Sequence, residues 1–186
     1  MAETIRVLLA DDHPLVRAGI RAILMSEADV TLIGEAIDGH QAQRMSQDLQ
    51  PDVLLLDLNM PGPPPMDMVA YMRTHCPTVK VLVLTAHDDD AYVRGLITAG
   101  VAGYVLKDEA IEVVVQAIRA VARGGTWFSQ PIVTKLVRWK SGALMPSDSA
   151  TLTDRELDVL RLVVAGKTDQ EIGRQLGIAE RTVRYC

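Results

Sequence analysis

Apolar positions along residues 5–123 alternate between two rhythms. Short continuous runs, Ile5–Ala10, Val30–Glu35, Val53–Leu56, Val79–Leu84 and Gly103–Leu106, are dense in Val, Leu and Ile. Runs this short, apolar at successive positions, predict strands covered on both faces, as in a parallel sheet. Between them the period lengthens. Ile111, Val114, Val115, Ile118 and Val121 fall on one helical face at i, i+3, i+4, i+7 spacing. Five strands alternating with five helices predict a doubly wound α/β domain over 1–123.

The rhythm stops at Gly124–Gly125. Residues 124–150 read as a linker with one short helix in "SQPIVTKLVRWK", followed by the polar "SGALMPSDSA". From Thr151 the pattern is purely helical. "TDRE" at 153–156 and "TDQE" at 168–171 form two capping boxes. In each, the Thr oxygen accepts from an orphan amide of the first turn and the Glu reaches back. Two short helices then meet at Leu176–Ile178, where Gly177 suits a tight turn, and a third begins near Glu180. Residues 151–186 are thus expected to form a small all-α domain with Ile172, Leu176, Ile178 and Val183 in its core.

Composition changes this picture little. At 48% hydrophobic and 23% charged the chain is globular, and with 4% aromatics its core must be aliphatic. No apolar run approaches the ~18 residues of a membrane span, and no signal-peptide pattern opens the chain. Cys76 and Cys186 show no ligand spacing, so a reduced, cytoplasmic setting is the simplest reading. A net charge of −5 lacks the basic footprint of a nucleic-acid binder.

Chemistry enters at the strand ends. In open α/β sheets ligands bind beyond the carboxyl ends of the strands, where strand order reverses. The first run leads into Asp11 and Asp12, the third into Asp57, the fourth into Thr85 and the fifth into Lys107. A 2-1-3-4-5 order makes the first and third strands neighbours, so three carboxylates share one crevice. Adjacent carboxylates repel by about 4 kcal/mol at about 4 Å in a protein-like dielectric. A cation relieves that repulsion, and hard oxygen donors with open positions suit Mg²⁺. One carboxylate can then attack an activated phosphoryl group. Lys107 supplies a point charge for its oxygens and Thr85 a hydroxyl donor. His13 could be a metal ligand or proton shuttle but reads more readily as a polar loop side chain, and Asp88–Asp90, which could form a second metal site, as acids complementing a helix dipole. Met60, Met66, Met68 and Met72 read as packing residues.

The stretches "LLADDHPLVRAGI", "GEAIDGHQA", "VLLLDLNMPG", "VLVLTAHDDD" and "AGVAGYVLKDE" together resemble the receiver domain of bacterial two-component response regulators. "LTDRELDVLRLVVAGKTDQEIGRQLGIAERTVR" resembles the LuxR-type helix-turn-helix. The pairing is similar to the NarL/FixJ type and covers nearly the whole chain. The resemblance implies a flavodoxin-like receiver with Asp57 as phospho-acceptor, loaded by a sensor histidine kinase. It implies Mg²⁺ on the Asp12 and Asp57 carboxylates and the Asn59 backbone carbonyl, with Asp11 in support. Thr85 and Lys107 would bind the phosphoryl group, and Tyr104 would turn inward when Thr85 moves. In the tail it implies a recognition helix with Thr182, Arg184 and Tyr185 near promoter DNA, Lys167 and Arg181 on phosphates, and a homodimer as a further state.

Four departures from the family pattern stand out. Pro65 in "MPGPPPM" replaces a usual Gly, Cys186 replaces a usual His, and Ala179 replaces a Ser or Thr helix cap, a loss of about 1 kcal/mol. The chain also ends inside the recognition helix, so the expectation is an incomplete DNA-binding domain of weak affinity. Six basic against seven acidic residues from Ser147 onward promise little nonspecific attraction to DNA. The sequence therefore predicts a phosphorylation-controlled transcriptional regulator and not an enzyme. Its alternative is a receiver acting only through protein contacts, as a phosphate sink or partner switch. A haloacid-dehalogenase-type phosphatase would want a second Asp where Asn59 stands, and a flavodoxin a Ser/Thr loop where Asp11 and Asp12 stand.

Overall fold

The computed structural model describes residues 4–86, 90–109 and 111–140, together with 172, 174 and 176. The chain divides into two compact units, Met1–Ser141 and Gly142–Cys186. In the first, β1 (Ile5–Ala10), α1 (Pro14–Leu24), β2 (Val30–Ala36), α2 (Gly39–Leu49), β3 (Val53–Asp57) and α3 (Pro65–His75) are followed by β4 (Lys80–Thr85), α4 (Asp90–Ala99), β5 (Gly103–Leu106), α5 (Ile111–Ala122), β6 (Trp127–Phe128) and α6 (Gln130–Lys140). The strands form one parallel sheet in the order β2-β1-β3-β4-β5-β6.

Alternation along each strand sends successive side chains to opposite faces. Leu8, Leu54, Leu56, Val81, Val83, Tyr104 and Leu106 join Met68 and Met72 of α3 and Val93 and Leu96 of α4 in one core. Val7, Leu9, Val53, Leu55, Leu82, Leu84 and Val105 join Ile20 and Leu24 of α1 and Ile118 and Val121 of α5 in the other. Both faces are covered, so the strands carry no polar alternation. Met68 and Met72 are packing residues, as expected, while Met66 is exposed.

The five expected strands and their order are present, and the structure adds a sixth. In the segment read as a linker, β6 pairs with β5 through Gly103 opposite Trp127 and Tyr104 opposite Phe128. Two residues are too few for any periodicity to show in sequence. The helix expected in the same segment is α6. Its Ile132 is fully buried in the first core, and its Lys135 pairs with Asp90 at the start of α4 at 2.7 Å.

In the second unit Ile172 is buried, Arg174 exposed and Leu176 part-buried, and all three are helical. Positions i and i+4 lie inward and i+2 outward, as one amphipathic turn requires. The capping boxes, Ile178 and Val183 lie outside the described residues.

Because Ile132 is fully enclosed, Ile132→Ala is expected to lower the unfolding free energy by about 3 kcal/mol in urea titration. Val137→Ala, at an exposed position of α6, should shift it by less than about 0.5 kcal/mol. Equal effects would mean that α6 does not share the core.

Candidate functional site

Three loops at the carboxyl end of the sheet converge on one pocket. β1 runs on into Asp11, whose amide donates to the Ala36 carbonyl at 3.1 Å. Asp11 Oδ1 accepts the His13 N–H at 2.8 Å, an Asx turn that bends the chain out of the sheet. Pro14 then opens α1, a position where a missing N–H breaks no helical bond. Arg17 reaches back from α1 to the Asp11 carbonyl at 2.7 Å and lies 3.5 Å from Glu35. Asp11 is thereby fixed through its amide, its carbonyl and its side chain.

β3 ends at Asp57, and the Asn59 N–H donates to Asp57 Oδ1 at 3.3 Å. The following loop is pinned where Gly39 N–H donates to the Pro61 carbonyl at 2.8 Å. Gly62 has φ +130, and a Cβ there would sit 2.9 Å from the Gly39 nitrogen, so only glycine fits. Pro65 is the first residue of α3. The family's usual glycine is replaced there by a residue whose fixed φ suits a first helical turn.

β5 leads to Lys107, whose N–H donates to the Thr85 carbonyl at 2.8 Å. Lys107 Nζ lies 2.8 Å from Asp11 Oδ2 and 2.8 Å from Asp57 Oδ2. One ammonium bridges two carboxylates that are fully buried. Asp12 stands at the rim, 31% exposed, with Oδ1 2.7 Å from His13 Nδ1. The same ring nitrogen is 3.4 Å from Asp11 Oδ1 and 3.9 Å from Asp57 Oδ2. One donor atom from each of Asp11, Asp12, His13 and Asp57 lies within 4.8 Å of the others.

Burial raises the Asp57 carboxyl above its ordinary 3.8; Lys107 opposes this, and the Asp11 charge adds to it. Burial alone would lower the Lys107 ammonium, but hydrogen bonds and charges from Asp11 and Asp57 outweigh it and raise it above 10.5. The two directions are compatible, because two carboxylates share one cation. Asp11 Oδ2, Asp12 Oδ1 and Asp57 Oδ2 are buried, with Lys107 Nζ against the first and third and His13 Nδ1 against the second. Three carboxylates facing one ammonium leave an oxygen-rich, negatively charged pocket that could bind a divalent cation, and the donor set fits a hard one.

The residues expected from sequence at the strand ends thus meet: Asp11 and Asp57 share Lys107, Asp12 has an oxygen within 4.8 Å of theirs, and the Asn59 amide is on Asp57. Thr85 is buried at the end of β4. Tyr104, expected to turn inward, is fully buried already, opposite Val83 in the sheet. His13, read from sequence as a loop side chain, has its ring nitrogen in the cluster; its place between Asp12 and the helix-opening Pro14 was the available signal. Ser129 was not anticipated. Its buried hydroxyl accepts from the Leu106 N–H and faces the Tyr104 carbonyl and Glu109 Oε2, joining the β5–α5 loop to the start of α6. Lys167, Arg181, Thr182, Arg184 and Tyr185 lie outside the described residues, as do residues 87–89.

Residues 7–119 match the family model of the response regulator receiver domain, and residues 150–185 match that of the luxR family of bacterial regulatory proteins. The chain belongs to the NarL-type response regulators. This response regulator is 39% identical over 186 residues to the transcriptional regulatory protein LiaR of Bacillus subtilis, covering 97% of this chain and 86% of LiaR. It is 37% identical over 183 residues to the nitrate/nitrite response regulator protein NarP of Escherichia coli, covering 98% and 85%. Among solved structures it is similar to RcsB from Salmonella enterica serovar Typhimurium bound to promoter rprA with phosphomimetic BeF3−. That likeness has a TM-score of 0.65 and 27% identity, over 98% of this chain and 88% of RcsB. No helix among the described residues of this regulator is long and apolar enough to cross a membrane.

The folded chain holds the Asp57 proton more tightly than the unfolded chain does, so ionising Asp57 opposes folding. That penalty is absent below pH 3.8, grows as pH rises through the raised folded value, and is fully present above it. Asp57→Asn is therefore expected to raise the thermal-melt midpoint at pH 7 relative to wild type, an advantage shrinking toward acid pH. Lys107→Met should destabilise by about 2 kcal/mol by leaving two buried carboxylates uncompensated. The double variant should recover part of that loss, since Asp11 stays buried without its cation.

Proposed function

We propose that this response regulator is a phosphorylation switch in which Asp57 accepts a phosphoryl group from a sensor histidine kinase and the helix-turn-helix carries the output to promoter DNA. The observation that supports it most is the Lys107 ammonium placed 2.8 Å from both Asp11 and Asp57 at the carboxyl end of the sheet. The Lys107 charge opposes the burial that raises the Asp57 carboxyl and so favours the anion that a carboxylate nucleophile needs.

The carboxylates of Asp11, Asp12 and Asp57 and the Asn59 carbonyl are the groups that would hold Mg²⁺. When bound, it supplies charge neutralisation for the phosphoryl oxygens. The remaining work belongs to the chain. An Asp57 carboxylate oxygen forms a bond to phosphorus as the phosphorus–nitrogen bond of the donor phosphohistidine breaks, and the leaving imidazole takes up a proton. Lys107, already within reach of Asp57, turns its charge to the transferred oxygens, and the Thr85 hydroxyl donates to another. The new group brings nearly two negative charges and three strong acceptors. The states before and after transfer therefore differ in where Lys107 and Thr85 are drawn, the differential contact that a population shift requires. Tyr104, two residues before Leu106, which lies opposite Thr85 in the sheet, is the aromatic whose setting follows that movement.

For the tail, the likeness to RcsB, whose structure is solved on a promoter, supports DNA contact through Thr182, Arg184 and Tyr185, with Lys167 and Arg181 on phosphates. A cytoplasmic setting accompanies that function.

Intact-mass spectrometry after incubation with Mg²⁺ and acetyl phosphate tests the switch. The wild-type chain should gain one phosphoryl group and Asp57→Asn none. Labelling of both to the same extent would move the acceptor elsewhere and overturn the assignment.

A further inference from the structure

The geometry points to a nitrogen donor in the cation site: His13 Nδ1 is placed to join Asp11, Asp12 and Asp57 around one ion, which gives the pocket a mixed carboxylate–imidazole donor set suited to late first-row divalent cations. The inference rests on the reading of this pocket as a cation site and deepens it.

Spacing is the first argument. Around a six-coordinate ion with bonds of about 2.1 Å, neighbouring donors lie about 3 Å apart and opposite donors about 4.2 Å apart. His13 Nδ1 is 2.7 Å from Asp12 Oδ1, 3.4 Å from Asp11 Oδ1 and 3.9 Å from Asp57 Oδ2. The first two distances bracket the neighbouring value and the third approaches the opposite one. No pair in the chosen set exceeds 4.8 Å, so one ion reaches all four donors after small side-chain adjustments.

Rigidity is the second. The His13 N–H is held by Asp11 Oδ1 at 2.8 Å, and its carbonyl accepts the Arg17 N–H at 3.1 Å as α1 begins. The ring therefore stands on a fixed turn with Nδ1 toward the carboxylates, while the side chain is half exposed. Nδ1 now faces Asp12. Ligation uses the Nδ1 lone pair, which requires the ring's remaining proton to sit on Nε2. Lys107 holds Asp11 through Oδ2 and leaves Oδ1 to the His13 side, whereas Asp57 Oδ2 is shared between the ammonium and the ion.

The chemical consequence is selectivity. Imidazole nitrogen suits Zn²⁺, Cu²⁺ and Ni²⁺, whereas Mg²⁺ prefers oxygen. An all-oxygen site also binds Zn²⁺ more tightly than Mg²⁺, so a tighter Zn²⁺ constant alone would not identify the imidazole. Dependence on His13, together with direct detection of a bound nitrogen, does identify it.

The test uses the full chain, its His13→Gln variant and Asp12→Asn, with circular dichroism melts confirming that each folds. One equivalent of Cu²⁺ should give an electron paramagnetic resonance spectrum with nitrogen superhyperfine splitting in the wild type, absent in His13→Gln. Titration calorimetry should show Zn²⁺ affinity falling at least about tenfold in His13→Gln, with Mg²⁺ affinity changed by less than about threefold. Nitrogen splitting that persists in His13→Gln, or Zn²⁺ and Mg²⁺ affinities that change alike, would overturn the imidazole ligand and leave the oxygen site standing. Absence of any Asp12-dependent binding of Mg²⁺ or Zn²⁺ would overturn the cation site itself, and this inference with it.

Discussion

Lys107 is the cation on which the pocket depends. A carboxylate buried at the end of a strand would ordinarily take up a proton, and two of them facing each other would do so more readily still. The ammonium lies 2.8 Å from each of Asp11 and Asp57 in an enclosed space, where its charge opposes what burial does to Asp57. Removing the lysine leaves two uncompensated carboxylates, whereas removing one carboxylate leaves the lysine paired with the other. The fold carries a locally unfavourable arrangement because the rest of the sheet is apolar on both faces.

That arrangement follows from parallel topology. Every strand ends on the same edge, so whatever follows β1, β3, β4 and β5 is delivered to one place without any long-range recognition between loops. The lysine's own backbone is tied to Thr85, and Asp11 is clamped by Arg17 and by the Asx turn at His13. The polar groups of the site are held by main-chain bonds, and their side chains inherit that order.

What the sequence made legible, and what it hid, divides along the same line. Continuous aliphatic runs announce doubly covered strands, and the residue after each run announces the pocket, so Asp11, Asp12, Asp57, Thr85 and Lys107 were all accessible before any coordinates. β6 was hidden because Trp127 and Phe128 are too short a run to show a period. The ring direction of His13 was hidden because a side-chain torsion leaves no trace in spacing. Ser129 was hidden because a lone serine before a glutamine and a proline reads as an ordinary helix start, and only the sheet brings it under Leu106. Tyr104 was identified, but its setting was not: the ring is already inside. Lys167, Arg181, Thr182, Arg184 and Tyr185 are expected at DNA from family likeness, not from any spacing in the sequence.

Ser129 also has a mechanical meaning. Its hydroxyl is moored to both ends of the short run that leads into the lysine loop, the Tyr104 carbonyl and the Leu106 amide, and to Glu109 beyond. Stranding a buried polar group without a partner costs about 1–3 kcal/mol. The lysine loop therefore has two ways to travel: drag the root of α6 with it, or meet that toll. The Ser129 hydroxyl thus adds a side-chain tether to the ladder by which β6 already yokes the root of α6 to the strand leading to the cation.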